Sequence, residues 1–469
     1  MDFLPVELVR LVFQYCDAPS VRALRRASGR YADVGYEFLL DPHLTVVEWR
    51  DDISRLRSIA GHDRLRGSIR SLTLNFSRVD EYNARHTTFF QHWLQDPEDR
   101  SALLQDAWAR YYELEAAARK LPPLHSRAAT VEEAFRHLPN LKHVEITLTK
   151  CPYDIPLLRE VFQLRTCRKR DRIQTCKNLN AIVAATRHTR LASLSIDQLP
   201  LEIFRLPDDR RHWFDCCARS FASLTRLDLA LDVPAHLLPS ARFRAVNGLG
   251  HVLRYAAASL THLSLAFHAY HAPAEKFALS FQALFCGEDV AYARLTDLKL
   301  EGVSCGEEDL RAFLLRHAAT LERLRLGGRG LAKPGEWSAG GVHLHEGSFR
   351  GLLHGLRGRM PRLRRFHMEG DVEAGDFRAS SREVYVFRAV SDDAWVPVAS
   401  GAGKGRGGQA AAAAATACVK TVDCLGLERF LVEGGEYPRL GKGTVGGVHA
   451  NANTNGGGGG GGGGGFHET

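Results

Sequence analysis

The sequence predicts an α/β fold: a short three-helix module, then an irregular array of helix–strand units with a helical insertion, then a tail that cannot fold. Three observations carry this expectation. Leucine occurs 61 times in 469 residues and repeats in a fixed local pattern. Helical apolar spacing precedes several of the leucine segments. Ten consecutive glycines, 456–465, stand near the C-terminus with no apolar side chain to offset the entropy of ordering them.

The strict pattern Leu-x-x-Leu-x-Leu occurs at Leu224-Leu227-Leu229, Leu260-Leu263-Leu265, Leu295-Leu298-Leu300 and Leu321-Leu324-Leu326. Chance gives about one match in a chain this long, so these are an excess. Every intervening position is polar, as with Thr225, Arg226 and Asp228. Such alternation puts leucines on one face of a short strand and polar side chains on the other. Relaxed copies stand at Ile69-Leu72-Leu74, Leu141-Val144-Ile146, Leu191-Leu194-Ile196, Leu363-Phe366-Met368 and Leu427-Phe430-Val432. Val131, Ala134, Phe135 and Leu138 precede Leu141 at helical spacing. Leu310, Phe313, Leu314 and His317 do the same before Leu321, and Phe349, Leu352, Leu353 and Leu356 before Leu363. Thr130 with Glu133 offers the first of these helices a capping box. Units that cannot each bury their own faces must stack in series, which points to an α/β solenoid of leucine-rich repeats. The spacing of first leucines is irregular and mostly longer than the usual range of about 20–29 residues, so insertions between strands are expected.

These signals divide the chain into a three-helix module at 1–44, a first strand plus helical insertion at 45–140, and the repeat array at 141–440. A low-complexity loop at 399–417 interrupts the array, and a disordered Gly-rich tail fills 441–469. Within 45–140, the stretch 45–74 reads as one strand and 80–122 as the insertion. Leu103, Leu104, Ala107, Trp108, Tyr111, Leu114 and Ala118 give the insertion an aromatic helix face, expected in a core.

In the N-terminal module, Glu7, Arg10, Gln14 and Asp17 fall within an arc of about 80° on a helical wheel. Val6, Leu8, Val9, Leu11, Val12, Phe13, Tyr15 and Cys16 span about 220° of the rest, far more than the stripe of about 100° that one core requires. The surplus calls either for contact with the rest of the chain, as a cap on the first repeat, or for a partner. A module this short builds little core of its own, which favours the partner. Pro5 suits the first turn, Ser20 is the expected N-cap of the second helix, and a third helix, Tyr31 to Leu40, ends before Asp41-Pro42.

The run Leu4-Pro5-Val6-Glu7-Leu8-Val9-Arg10-Leu11-Val12-Phe13, followed by Asp17, Leu24-Arg25-Arg26-Ala27-Ser28 and Tyr31, resembles an F-box. The resemblance covers about forty residues, and the whole layout resembles the F-box/leucine-rich-repeat proteins of filamentous fungi. Tyr15-Cys16 departs from the leucine frequent there, and Gly29 from a frequent basic residue. The resemblance implies docking on the Skp-type linker subunit of a cullin–RING ubiquitin ligase. Leu4, Pro5, Leu8, Leu11, Val12, Phe13 and Leu24 would then form the docking surface and its supporting core.

Motifs for chemistry are missing. The sequence holds no G-x-S-x-G, H-E-x-x-H or dinucleotide fingerprint, and Gly403-Lys404-Gly405 lacks phosphate-loop spacing. Cys151, Cys167, Cys176, Cys216, Cys217, Cys418 and Cys424 form no C-x-x-C pair and read as small reduced hydrophobes. His268 with His271, and His343 with His345, find no third metal ligand at an obvious spacing and read as surface or loop residues. No catalytic residue, metal or cofactor is expected. Arg165, Arg168, Lys169, Arg170 and Arg172 form a basic cluster broken by Asp171, read as a solvated loop in preference to a nuclear-import or acidic-partner patch. A net charge of +8 over this length makes nucleic acid an unexpected partner, and the chain has neither a long apolar run nor a signal-like start, so no membrane partner is expected and a cytoplasmic or nuclear location is.

The expected function is therefore a substrate-recognition adaptor of a ubiquitin ligase. The module would hold the linker and the polar strand positions Arg226, Asp228, His262, Lys299, Arg323, Arg325 and His367 would face an unknown protein target. The alternative is a leucine-rich-repeat scaffold that acts without ubiquitin transfer.

Overall fold

A computed structural model describes residues 4–79, 81, 97–162, 172–205, 211–233, 237–268, 277–285, 290–328, 330, 340–375, 383–387 and 422–440. The chain alternates helices with parallel strands, an α/β arrangement. Strands β1 (His43–Val47), β2 (Ser71–Asn75), β3 (His143–Thr147), β4 (Ser193–Pro200), β5 (Arg226–Asp232) and β6 (His262–His268) lie side by side in chain order. A shorter ribbon starts at β7 (Phe277–Ala278), while β8 (Asp297–Glu301) continues the main sheet from β6. β9 (Val303–Gly306) joins the ribbon, β10 (Arg323–Gly327) the sheet, β11 (His343–Glu346) the ribbon, and the long β12 (Arg365–Ala374) belongs to both. β13 (Glu383–Phe387) pairs with β12 antiparallel, on the ribbon side.

The leucine pattern sets the register. Leu44, Leu72, Val144, Leu194, Leu227, Leu263, Leu298, Leu324 and Phe366 stand in one row across the sheet. Two residues on, Val46, Leu74, Ile146, Ile196, Leu229, Leu265, Leu300, Leu326 and Met368 form a second row. Both rows are buried in one continuous core. Each such side chain stabilises the fold by about 1.5–3 kcal/mol relative to exposure. A one-residue slip would turn both rows to water, so the register is strongly specified.

Helices pack over the leucine face. Val131, Ala134 and Phe135 of the helix Ala128–Arg136, Leu310, Phe313 and Leu314 of Glu307–Arg316, and Phe349, Leu352, Leu353 and Leu356 of Phe349–Leu356 are all buried in the core that holds the leucines. His317 is buried beside them: its Nε2 accepts from the Tyr292 amide at 3.0 Å and its Nδ1 lies 2.8 Å from the Phe313 carbonyl. One residue ahead of their strands, Thr225, Thr261 and Thr296 donate from Oγ1 to the carbonyls of Ala192, Thr225 and Thr261 at 3.0, 2.9 and 3.1 Å. These bonds tie each unit to the one before. Gly302 carries the chain from β8 into β9 at φ +64°, where a Cβ would stand 2.2 Å from the Phe267 carbonyl oxygen, so this corner requires glycine.

The helix Pro97–Ala118 brings Tyr111 into a separate small core with Tyr153, Leu158 and Phe162, where Trp108 meets the Phe162 ring at 5.0 Å. Tyr112, on the same helix, is exposed.

Several local expectations are corrected. The stretch 45–74 holds parts of two strands, β1 and β2, with the helix Asp52–Gly61 between them. Leu427-Phe430-Val432 lies in helix, not strand: Val422–Glu428 and the π-turn Arg429–Glu433 pack against β12, with Cys424, Leu427 and Phe430 buried. The Leu-x-x-Leu spacing of that segment also fits one helix face, and there it prevails. Thr130 lies inside its helix, which begins at Ala128 without a side-chain cap. Arg172 is no loop residue; it pairs with Asp232 at 2.6 Å and with Glu202. The loop 399–417, the tail 441–469, Arg165, Arg168, Lys169, Arg170, His271, Cys167 and Cys418 lie outside the described residues.

Candidate partner-binding surfaces

Three elements make the N-terminal module: α1 (Val6–Gln14), α2 (Ala18–Ala27) and α3 (Gly29–Val34), which runs into a 3-10 turn Gly35–Phe38. Asp17 caps α2, accepting from the Ser20 amide at 2.9 Å, so Ser20 is the donor rather than the cap. That bonding, with the Ser20 side chain first, holds the Asp17 carboxyl below its usual range. Ser28 ends α2 and caps α3 through the Tyr31 amide at 3.1 Å. α3 is shorter than expected because the 3-10 turn takes over before Asp41-Pro42.

The module has its own core of Val9, Phe13, Val21, Tyr31 and Val34, with Leu4, Cys16, Leu24, Phe38 and Leu39 packed at its margin. Phe13 stacks on Phe38 at 5.6 Å between centroids and crowds Gly35, where a Cβ would stand 2.7 Å from the ring. Phe13 and Leu24 thus belong to the supporting core. Leu4 is half-buried and its carbonyl accepts from Arg30. Pro5 is exposed. Leu8, Leu11 and Val12 are 46%, 47% and 41% exposed, and Val6 and Tyr15 stand out beside them. The joint to the array is polar and aromatic: Arg64 bonds Asp33 at 2.6 Å and lies over the Tyr36 ring, which stacks on His62. The apolar face of α1 is not sealed against the array.

The second surface is the polar face of the sheet. Arg226, His262, Asp297, Arg323 and Arg365 share one row, and Asp228, Ser264, Lys299, Arg325 and His367 the next. The sequence-derived face therefore falls on two adjacent rows. Its charges are paired: Arg226 with Asp228 at 2.6 Å, His262 and Arg323 with Asp297 at 2.9 and 2.8 Å, and Lys299 with Glu301 at 2.7 Å. Burial pushes the Asp297 carboxyl up, but His262 and the nearby arginines outweigh it and the net shift is down. Glu301 behaves alike, with Lys299 and His268 overcoming burial. Asp297 and Glu301 act beneath the face as anchors for its cations. They were not among the expected site residues, because sequence alone does not give which strands are neighbours. Arg365 was also missed, although Leu363-Arg364-Arg365-Phe366 carries the same pattern.

His367 is a correction: it is buried between Glu369, 3.4 Å from Nε2, and Cys424, 3.4 Å from Nδ1, where the Val422–Glu428 helix covers it. Burial lowers its pKa, but the Cys424 and Glu369 contacts prevail and the net shift is upward. His343 is buried as well, 3.0 Å from Ser304 Oγ, and donates from Nε2 to the Gly375 carbonyl at 2.8 Å. His268 is bonded to Glu301 at 2.9 Å.

Where β4 to β6 carry small residues, Ser195, Ala230, Ser264 and Ala266 floor a groove of about 230 Å³ edged by Asp197, Asp228, His268, Lys299, Glu301 and Glu369. Asp197 is committed to Thr147 and Thr149, at 2.6 Å each. Among the described residues no three His, Cys, Asp or Glu converge on a metal position, and no helix is long and apolar enough to cross a membrane. Neither a protein-family model nor a curated protein sequence matches this chain.

Proposed function

We propose that the protein is a substrate-recognition adaptor of a cullin–RING ubiquitin ligase, its F-box-like module docking the Skp-type linker subunit and its leucine-rich-repeat solenoid binding the target. One observation carries the reading: Val6, Leu8, Leu11 and Val12 stay exposed on α1, with Tyr15 just beyond it, while Val9 and Phe13 on the same helix complete a separate core. A monomeric protein gains nothing from such a row, and apolar patches of this kind mark partner contacts. Tethering a target near a conjugating enzyme raises its effective concentration, so the adaptor needs no chemistry of its own. The paired, ordered charges of the sheet face suit selective contact with a protein surface.

The test is co-purification of the full chain with a Skp-type subunit, comparing the native sequence with Leu8→Asp plus Leu11→Asp. Both side chains are exposed, so circular dichroism should be unchanged while linker capture falls by about a hundredfold or more, from two lost apolar contacts. Undiminished capture by the variant, or no capture by the native chain, overturns the reading.

A further inference from the structure

The polar sheet face is divided by charge. At the C-terminal strand ends, Asp197, Glu301 and Glu369 edge the small-residue groove. At the N-terminal ends of β8, β10 and β12 the exposed groups are cationic. Arg323 and Arg365 open β10 and β12 in register, with side chains 41% and 45% exposed, while the partner of Arg323, Asp297, is 2% exposed and the partner of Arg365, Glu428, 17%. The carboxylates lie below and the guanidiniums on top. Arg294, Arg362 and Arg364, in the turns leading into β8 and β12, are exposed and form no ion pair with the described residues. Glu322, ahead of β10, is half-buried. Backbone bonds hold these turns in a staircase, Arg364 N–H to the Glu322 carbonyl and Glu322 N–H to the Thr296 carbonyl, both 2.8 Å.

We propose that this rim binds a carboxylate-rich segment of the target, an extended run of Asp and Glu side chains. The inference rests on the adaptor reading only for the occupant's being a target. Charge complementarity selects the occupant. Five guanidiniums are spread over three neighbouring strand positions, a span of about 10 Å at the usual strand separation. That matches about three residues of extended chain at roughly 3.3 Å each, with further carboxylates reaching the flanks. Arginine grips planar carboxylates with two parallel donors. A single phosphate would need the guanidiniums to converge, whereas here they are spaced along the rim. A nucleic-acid backbone would need a longer stripe and would meet the acidic groove alongside.

The test is fluorescence anisotropy of the full chain with a labelled octapeptide of alternating Glu and Ser. The comparison probes are its Gln counterpart, a counterpart with one phosphoserine in place of the glutamates, and a single-stranded oligonucleotide. The Glu peptide should bind, lose affinity as salt rises, and weaken about tenfold in Arg362→Ser with Arg364→Ser, whose native side chains are exposed and form no ion pair with the described residues. Arg323→Lys keeps the Asp297 charge pair and should weaken binding less. Equal binding of the Gln peptide, tighter binding of the phosphopeptide or the oligonucleotide, or an unchanged affinity in the double variant overturns the proposal. Linker capture is measured on the same native protein: peptide binding without linker capture removes the adaptor reading and leaves the rim, and the reverse removes the rim alone.

Discussion

The N-terminal module and the repeat array leave opposite kinds of surface to water. α1 has one small core to serve and more apolar side chains than that core accepts, so Leu8 and Leu11 remain outside while Val9 and Phe13 go in. In the array each leucine row is covered by the neighbouring units and by helices, and the other face of the sheet presents arginine, lysine and histidine tied to carboxylates beneath. The difference is one of how many neighbours a unit has. A stacked unit buries its apolar face internally, whereas the three-helix module leaves Leu8, Leu11 and Val12 of α1 exposed. Apolar contact supplies affinity with little selectivity; paired charges supply direction and rejection of wrong partners.

The comparison is sharpest with one residue type on both sides. Leu263→Ala, in the middle of the first row, should destabilise the protein by about 2–5 kcal/mol in urea unfolding. Leu8→Ala should stay within about 0.5 kcal/mol, as exposed positions do. A large cost at Leu8 would mean that α1 is covered by its own chain, and the contrast would be lost.

A smaller effect probes the carboxylates beneath the cations. Asp297→Asn leaves His262 and Arg323 without their counter-charge and should cost about 1–3 kcal/mol at neutral pH, since a hydrogen-bonded charge is removed from a buried position. Because the folded-state pKa of Asp297 is lowered, its contribution is present above the unfolded value near 3.8 and is lost as the pH falls through the folded one. The variant should therefore show a flatter acid limb, and an unchanged limb would count against the pairing.

The smallest effects come from two histidines of opposite sign. His317 has a lowered pKa, with burial as the first cause, so protons favour the unfolded chain and stability declines as the pH drops below about 6.5. His367 has a raised pKa, so its contribution is full below about 6.5 and is lost as the pH rises through the folded value. Unfolding of His317→Gln and His367→Gln across that range should show slopes that depart from the native chain in opposite directions. Slopes that move together would mean that one assignment is wrong.

Much of the array was legible because strict alternation admits only one way to bury leucines, and the helices before Leu141, Leu321 and Leu363 follow from their spacing. β1 escaped because Leu44 and Val46 lack a leucine three positions earlier. The segment at Leu427 misled because its spacing serves a strand or a helix equally, and only the position beside β12 decides. The charged rows were visible as residue types but not as pairs: Asp297 meets both His262 and Arg323 only once β6, β8 and β10 are aligned. The same lack of register hid the burial of His367, which depends on a helix some fifty residues further along.

That helix has a consequence of its own. A row of parallel strands has no intrinsic last member; every outermost strand offers amide and carbonyl groups on which another chain can add. Along the first half of β12 the Met368 amide points at Cys424 Sγ, 3.3 Å away, and the helix Val422–Glu428 lies where a further strand would pair, while β13 pairs with the second half. Along this stretch the edge of β12 is thus closed by a change of secondary structure, which blunts it against pairing with another chain.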